Sequence, residues 1–531
     1  VNVLGTATAD IAVTTPAASI AAMEAIERDI VTAPAIRANL RAVLLDLANA
    51  DSAALFHCTS GKDRTGWVAA MLESIAGVSP GTIMTDYLAT NVYSAASIQA
   101  TLAQITAASG ANVAAAYQPL LVVNASYLQA GLDQITASYG SVMAYLTQGL
   151  GLSRADIYVL RAKMVNYLLL PGQSGMTGNA AAGAALLNAL QNSPLSGHYT
   201  AYNFYLQSAV DTGSLGAVPS QIGGQVYADT AAALLRLPGQ IDDLLDADHR
   251  DWTLAPDDSA VWQTSLGGVS GTTTSAGAAR STADSFGPVL GFTHRFGDNA
   301  SLYGSFGDIS GRVDSASATA RINTFFVSAG GRYGFTGLDA GPFVAVSTIV
   351  GFSDDHTKRR LDGGLGMAEG RPSSTVFSGR AGAGYVVPVG GVVLTPSVGL
   401  RLSHVAMTGF NETGSALALS VGQVSQTVAS LESGLDIDLS PHALGDGWTL
   451  TPRIMLGYER ALGPYKVLSR GTLYGNTVDQ LSADRGRDFL KAGLGVNFRH
   501  DRLGITLTAN GLTDTSRSWG AYGQIAVRGT F

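Results

Sequence analysis

The chain closes on Trp519-Gly520-Ala521-Tyr522-Gly523-Gln524-Ile525-Ala526-Val527-Arg528-Gly529-Thr530-Phe531, and the alternation in this stretch decides the fold of the second half. On an extended strand Trp519, Ala521, Gly523, Ile525, Val527, Gly529 and Phe531 share one face, while Gly520, Tyr522, Gln524, Ala526, Arg528 and Thr530 share the other. Working backwards, Leu503, Ile505, Leu507 and Ala509 alternate with Arg502, Thr506, Thr508 and Asn510. Leu490, Ala492, Leu494, Val496 and Phe498 alternate with Lys491, Asn497 and Arg499. From Trp262 onward there are about twelve such runs, separated by turns such as Phe296-Gly297-Asp298-Asn299 or by longer loops such as 354–371. A soluble β-sandwich also alternates, but its strands are usually only about 5–6 residues long. Runs of ten or more residues, even in number, with one apolar and one polar face, match a transmembrane antiparallel β-barrel.

Composition supports that reading and excludes others. Across 531 residues, 46% are hydrophobic and only 14% charged, yet no uninterrupted apolar run reaches the length of a membrane helix. The length calls for two or three domains. A net charge of -8 without any Lys/Arg cluster leaves no footprint for nucleic acid. Cys58 is the single cysteine, which excludes an internal disulfide and a multi-cysteine zinc site. The chain opens Val1-Asn2-Val3-Leu4-Gly5, so a secretory signal is expected to lie outside it, cleaved or not included.

The first half reads differently. Ile20, Met23, Ile26, Ile30, Leu40, Val43, Leu44 and Leu47 have helical spacing, interrupted near Pro34. Ala53-Ala54-Leu55-Phe56 reads as a short buried strand, and Val68, Met71, Leu72 and Ile75 restore helical spacing up to Gly77 as C-cap. Ser153-Arg154-Ala155-Asp156 is a capping box. From 166 to 250 the chain is rich in Ala, Gly, Ser, Asn and Gln, with short helical stretches at Ala181–Leu190 and Thr230–Leu235 and a helix near Gln240–Leu245.

Between strand and helix stands His57-Cys58-Thr59-Ser60-Gly61-Lys62-Asp63-Arg64-Thr65-Gly66. Loop amides and the positive end of the following helix can converge on a phosphate. The same field favours the Cys58 thiolate, the reactive form of the thiol. Arg64 supplies a planar fork for two phosphate oxygens, and Gly61 and Gly66 allow close approach of the backbone. The segment is not a Walker loop, because Phe56 occupies the first glycine position and Asp63 follows Lys62. It is not a metal site either, since one Cys and one His lack further ligands nearby, and neither metal nor cofactor is expected. Asp354-Asp355-His356 reads as solvated charge, and Gly364-Leu365-Gly366 with Gly370 misses dinucleotide spacing by one.

Two resemblances follow from these residues. Residues 255–531, with the lead-in Ala260-Val261-Trp262-Gln263 and the terminal aromatic Phe531, resemble the translocator domain of an autotransporter. That resemblance implies type V secretion, a twelve-stranded barrel in Gram-negative outer-membrane lipid, a helix through its lumen and a passenger at the cell surface. It also implies that Phe531 is read by the barrel-assembly machinery. Residues His57–Gly66 resemble the protein tyrosine phosphatase superfamily, and most nearly its bacterial branch. Asp86-Tyr87-Leu88-Ala89-Thr90-Asn91, Tyr139-Gly140-Ser141, Gly151-Leu152-Ser153 and Leu160-Arg161 extend that similarity.

By this second resemblance Cys58 attacks phosphorus, Arg64 clamps the phosphoryl group and Thr65 eases departure of the sulfur. His57, Thr59, Ser60, Gly61, Lys62, Asp63 and Gly66 form the substrate cradle. The implied substrates are phosphotyrosine, phosphoserine or phosphothreonine in proteins, or a phosphoinositide. Lys62 reads equally as a phosphoinositide contact or as a solvated charge. The general acid is unassigned: the upstream aspartates are Asp10, Asp29, Asp46 and Asp51, and the opening strands of the phosphatase fold are expected to be absent.

The expected fold class is therefore multidomain. Residues 1–165 are the C-terminal portion of an α/β phosphatase-like passenger, 166–256 a spacer ending in a pre-barrel helix, and 257–531 the barrel. The expected function is a surface-exported cysteine-dependent phosphatase. Its rivals are a degenerate, non-catalytic phosphate-binding or adhesive passenger, and a plain transport barrel.

Overall fold

Contacts divide the computed structural model, which describes residues 14–250, 254–275, 277–483 and 485–531, into two units. These are Val1–Leu168 with Leu190–Gly213, and Leu169–Ala189 with Ser214–Phe531.

The first unit is helical. Thr15 caps α1 (Pro16–Thr32) by accepting from the Ala18 amide at 3.2 Å, and Pro34 opens α2 (Pro34–Asn49), so the break expected near Pro34 is real. Then come α3 (Asp63–Ala76), α4 (Pro80–Tyr93), α5 (Ala95–Ser109), α6 (Ala111–Leu121), α7 (Ala125–Tyr139), the single turn α8 (Val142–Ala144) and α9 (Arg154–Met164). Gly77 ends α3 in the left-handed region at φ 83°, and Ser153 with Asp156 forms the expected capping box. The strand expected at 53–56 does not form. Residues 53–57 form no regular secondary structure and pair with no strand, with Leu55 88% exposed. A strand exists only against a neighbour, and among the described residues this unit holds no other strand to pair with.

Trp67 is the centre of this unit's core, fully buried among Ile30, Leu40, Leu44, Met71, Ile135 and Ile157. Its ring meets Tyr145 edge-on at 6.4 Å between centroids. Helix α7 reaches that ring closely because Gly131 has no side chain: a Cβ there would overlap the Trp67 ring and stand 2.7 Å from its Cη2 and 3.2 Å from the Glu27 carbonyl oxygen. Gly131→Ala gains helix propensity, but the overlap dominates because Trp67 has no room to retreat. The expected result is a loss of about 1–3 kcal/mol, read as a lower melting temperature of the helical unit. An unchanged or higher melting temperature would show that the ring can move.

In the second unit the stretch expected as a spacer is ordered into α10 (Gly178–Ala189), α12 (Val218–Ile222) and α13 (Gln225–Arg250), while α11 (Ala201–Thr212) belongs to the first unit. The short helices expected at 230–235 and 240–245 are one continuous helix, which runs through Pro238. The described portion of α13 packs Ile241, Leu244 and Leu245 against Trp262, Leu266, Val289, Ile309, Phe326 and Ile349 of the barrel's inner wall. No helix among the described residues is long and apolar enough to cross a membrane.

The strands do the crossing. In chain order they are β1 Ser259–Gly271, β2 Ser281–Phe296, β3 Ala300–Ser315, β4 Ala318–Gly334, β5 Gly341–Leu361 and β6 Ser373–Val389. There follow β7 Val392–Met407, β8 Val424–Asp438, β9 Trp448–Leu462, β10 Asp488–His500, β11 Leu503–Asp514 and β12 Trp519–Thr530. Each pairs antiparallel with the next, and β12 returns to β1 from Ala260↔Thr530 to Gly271↔Trp519, closing a twelve-stranded barrel. Closure leaves no open edge, which is what hydrocarbon demands of a sheet.

The faces confirm the environment. On β12 Ile525 is 60% exposed, whereas Arg528 is 3% exposed. The apolar face looks out and the polar face looks into the lumen, the reverse of a soluble protein. One expected loop is corrected: much of 354–371 continues β5 to Leu361 and folds back as a short strand, Gly366–Gly370, because its side chains find partners above the barrel. Asp355 accepts from Ser353 and Ser374, and His356 Nε2 lies 3.4 Å from Glu369. Arg359, fully buried, pairs with Glu412 and donates to the carbonyl oxygens of Gln221 (3.2 Å) and Ile222 (3.0 Å) at the end of α12.

Candidate active site

Residues 50–62 carry the chain from α2 to the first turn of α3. Gly61 takes a left-handed conformation at φ 67°, which turns the chain into the helix. Lys62 occupies the N-cap, and its own side chain caps none of the first amides of α3. Gly66 lets the loop lie directly on Tyr87, since a Cβ there would stand 2.7 Å from the ring.

Cys58 is half-buried within this turn. Burial pushes its thiol up, but hydrogen bonds from the Thr65 hydroxyl and from the amides of Thr65, Ser60 and Gly61 outweigh it, leaving the thiol below its ordinary value. Thr65 Oγ1 is buried with no partner but the sulfur among the described residues. Arg64 Nη2 donates to Thr59 Oγ1 at 3.2 Å across the loop. Asp46, Phe56, His57, Cys58, Arg64 and Thr65 line a cleft beside the sulfur. His57 and Thr59 are exposed at its rim, with His57 Nδ1 3.3 Å from the Cys58 carbonyl oxygen.

Lys62 is not where either reading of the sequence put it. Lys62 is neither at the loop mouth nor in solvent. It is 6% exposed, its ammonium 2.8 Å from Asp63 Oδ2 and within 3.5 Å of the Val122 carbonyl oxygen. Glu27, which the sequence reading passed over, is 1% exposed on the inner face of α1. Its signal was available, because Met23, Glu27 and Ile30 fall on one helical face and a carboxylate interrupts an apolar stripe. Of the upstream aspartates, Asp46 alone lines the cleft; Asp29 and Asp51 do not, and Asp10 lies outside the described residues.

The family model described as "Tyrosine phosphatase family" matches residues 5–166, and that described as "Autotransporter beta-domain" matches residues 261–510. The chain joins a tyrosine phosphatase family region to an autotransporter β-domain. The autotransporter barrel is an outer-membrane structure, and its phosphatase-family passenger is exported to the cell surface.

Serotype-specific antigen 1 of Mannheimia haemolytica is 27% identical over 239 residues, covering 44% of this chain and 24% of its own length. A Cupriavidus necator protein, named provisionally as a tyrosine-protein phosphatase, is 46% identical over 50 residues, 9% of this chain and 18% of its own. The chain thus spans a quarter or less of each of these relatives. The translocator domain of the autotransporter NalP from Neisseria meningitidis is 23% identical with a TM-score of 0.47, covering 58% of this chain and all of that domain.

Proposed function

We propose that the passenger is a cysteine-dependent phosphomonoester hydrolase displayed at the cell surface, acting on phosphotyrosine and, through the same chemistry, on phosphoserine, phosphothreonine or a phosphoinositide. The observation that carries this reading is Cys58 itself, held below its ordinary pKa by the Thr65 hydroxyl and three loop amides at the start of a helix. The thiolate attacks phosphorus as the bond to the leaving oxygen breaks, and Arg64 holds the equatorial oxygens. Asp46, the upstream aspartate that lines the cleft, gives its proton to the departing oxygen. Water then attacks the cysteinyl-phosphate, returns a proton to Asp46 and releases inorganic phosphate, while Thr65 hydrogen-bonds the departing thiolate. Phe531 is proposed as the residue offered to the barrel-assembly machinery.

The test is hydrolysis of aryl phosphates by the full chain in detergent. Asp46→Asn is expected to slow a poor leaving group, phenyl phosphate, by roughly 10²-fold or more, and an activated nitrophenyl ester much less. Equal slowing of both would remove Asp46 from proton transfer. Absence of turnover, with phosphate still bound, favours the rival reading of a passenger that binds phosphorylated groups without cleaving them.

A further inference from the structure

The chain passes between its two units three times, because Leu169–Ala189 belongs with the barrel and Leu190–Gly213 with the helical unit. The later helical-unit segment is built in firmly. Asp211 at the end of α11 accepts from the Tyr158 hydroxyl at 2.7 Å and from Arg161 Nη1 at 2.6 Å, both on α9. The Tyr199 hydroxyl donates to Asp156 at 2.7 Å, and Phe204 meets Tyr158 edge-on at 5.2 Å. Helix α10 is held as firmly in the other unit. Asn179, 5% exposed, donates its amide to the Gly277 carbonyl oxygen of the β1–β2 loop at 2.7 Å. Its side chain donates to Gln225 Oε1 at 2.9 Å and to the Leu481 carbonyl oxygen at 2.8 Å, and accepts from the Leu481 amide at 2.9 Å. One turn on, Gly183 lets α10 lie directly on α12: a Cβ there would overlap the Pro219 carbonyl oxygen. Ala184 and Leu187 are fully buried.

We propose that α10 is a clasp, which keeps the passenger bound to the barrel unit when the chain is cut behind Gly213. The consequence is a two-chain complex, residues 1–213 on residues 214–531, in place of a released passenger. None of the contacts of α10 depends on the bond between Gly213 and Ser214. Letting go would expose Ala184, Leu186 and Leu187 and would strip the Leu481 backbone of both its bonds to Asn179. The turn itself is open to cleavage, since Thr212, Gly213 and Ser214 are all exposed. The inference concerns attachment and stands apart from the phosphatase reading.

The experiment inserts the recognition sequence of a site-specific protease between Gly213 and Ser214 of the full chain. The protein is cut in detergent, the cut is verified on a denaturing gel, and gel filtration separates fragment from complex. Less than about a tenth of residues 1–213 is expected to leave the barrel fraction, as a dissociation constant about a hundredfold below the protein concentration implies. Gly183→Leu, whose side chain has no room against Pro219, is expected to free about nine-tenths of the fragment after cutting and none before it. Asn179→Ala is expected to free an intermediate share. The heat-dependent gel mobility of each variant's barrel separates a lost clasp from a lost fold. Release of the fragment from the cut wild-type protein overturns the proposal. Full retention in both variants overturns it too, because something other than α10 would then hold the passenger.

Discussion

Cys58→Ser is expected to lower aryl phosphate hydrolysis by roughly 10³-fold or more, the scale on which enzymes fail when a nucleophile is removed from its unit. The loop gains its effect by favouring a thiolate, through the Thr65 hydroxyl and the amides of Thr65, Ser60 and Gly61. A serine hydroxyl in the same place stays protonated, because an alcohol is a far weaker acid than a thiol, and His57 is exposed with its Nδ1 against the Cys58 carbonyl oxygen. Binding should behave oppositely. The amides and Arg64 remain, and the negative sulfur that repels an anion is gone, so Cys58→Ser is expected to bind tungstate at least as tightly as wild type. Arg64→Ala should lose both turnover and binding, because the planar fork serves both. Turnover surviving in Cys58→Ser at near wild-type rate would end the cysteinyl-phosphate mechanism.

The contrast between what the residues announced and what they concealed has a physical basis. The barrel was legible because its period of two persists over every strand and is tied to solvent: Ile525 and Val527 face outward where Gln524 and Arg528 cannot. The cradle was legible because Cys58, Gly61, Arg64 and Thr65 lie within one turn, so their convergence is local. Lys62 was misread, since its direction depends on Val122, sixty residues away. The strand at 53–56 was inferred from an apolar run, but pairing is a property of two segments and one sequence window shows only one of them. Asp46 reaches the cleft only through the packing of α2 beside the loop, a tertiary fact with no local pattern. The hairpin that continues β5 was hidden for the same reason, because Arg359 pairs with Glu412, 53 residues away, and donates to the Gln221 carbonyl oxygen of α12.

In the barrel the largest expected effect is that of Arg401→Ala. Helix α13 offers three aspartates to the wall. Asp242 pairs with Arg401, Asp246 with Arg380 at 2.7 Å, and Asp243 with Lys491 at 2.8 Å. Glu432 of β8 joins two of these pairs, accepting from Arg401 at 2.7 Å and from Arg380 at 2.8 Å. Arg401 and Asp242 are each 4% exposed, so water screens them little. Removing Arg401 leaves Asp242 without its cation and Glu432 with one of two, at a cost on the order of 3–5 kcal/mol. The ions in the lumen need not stabilise the fold relative to an apolar filling, because each charge has surrendered its hydration to be there. That distinction is measurable. Arg401→Ala should lower the temperature at which the barrel changes its mobility on a gel, and the neutral pair Asp242→Asn with Arg401→Met should recover most of the loss. Recovery identifies the harm as stranded charge. If the double variant is as unstable as the single, the helix is held in the lumen by the pair itself, and Ile241, Leu244 and Leu245 contribute less than their burial suggests.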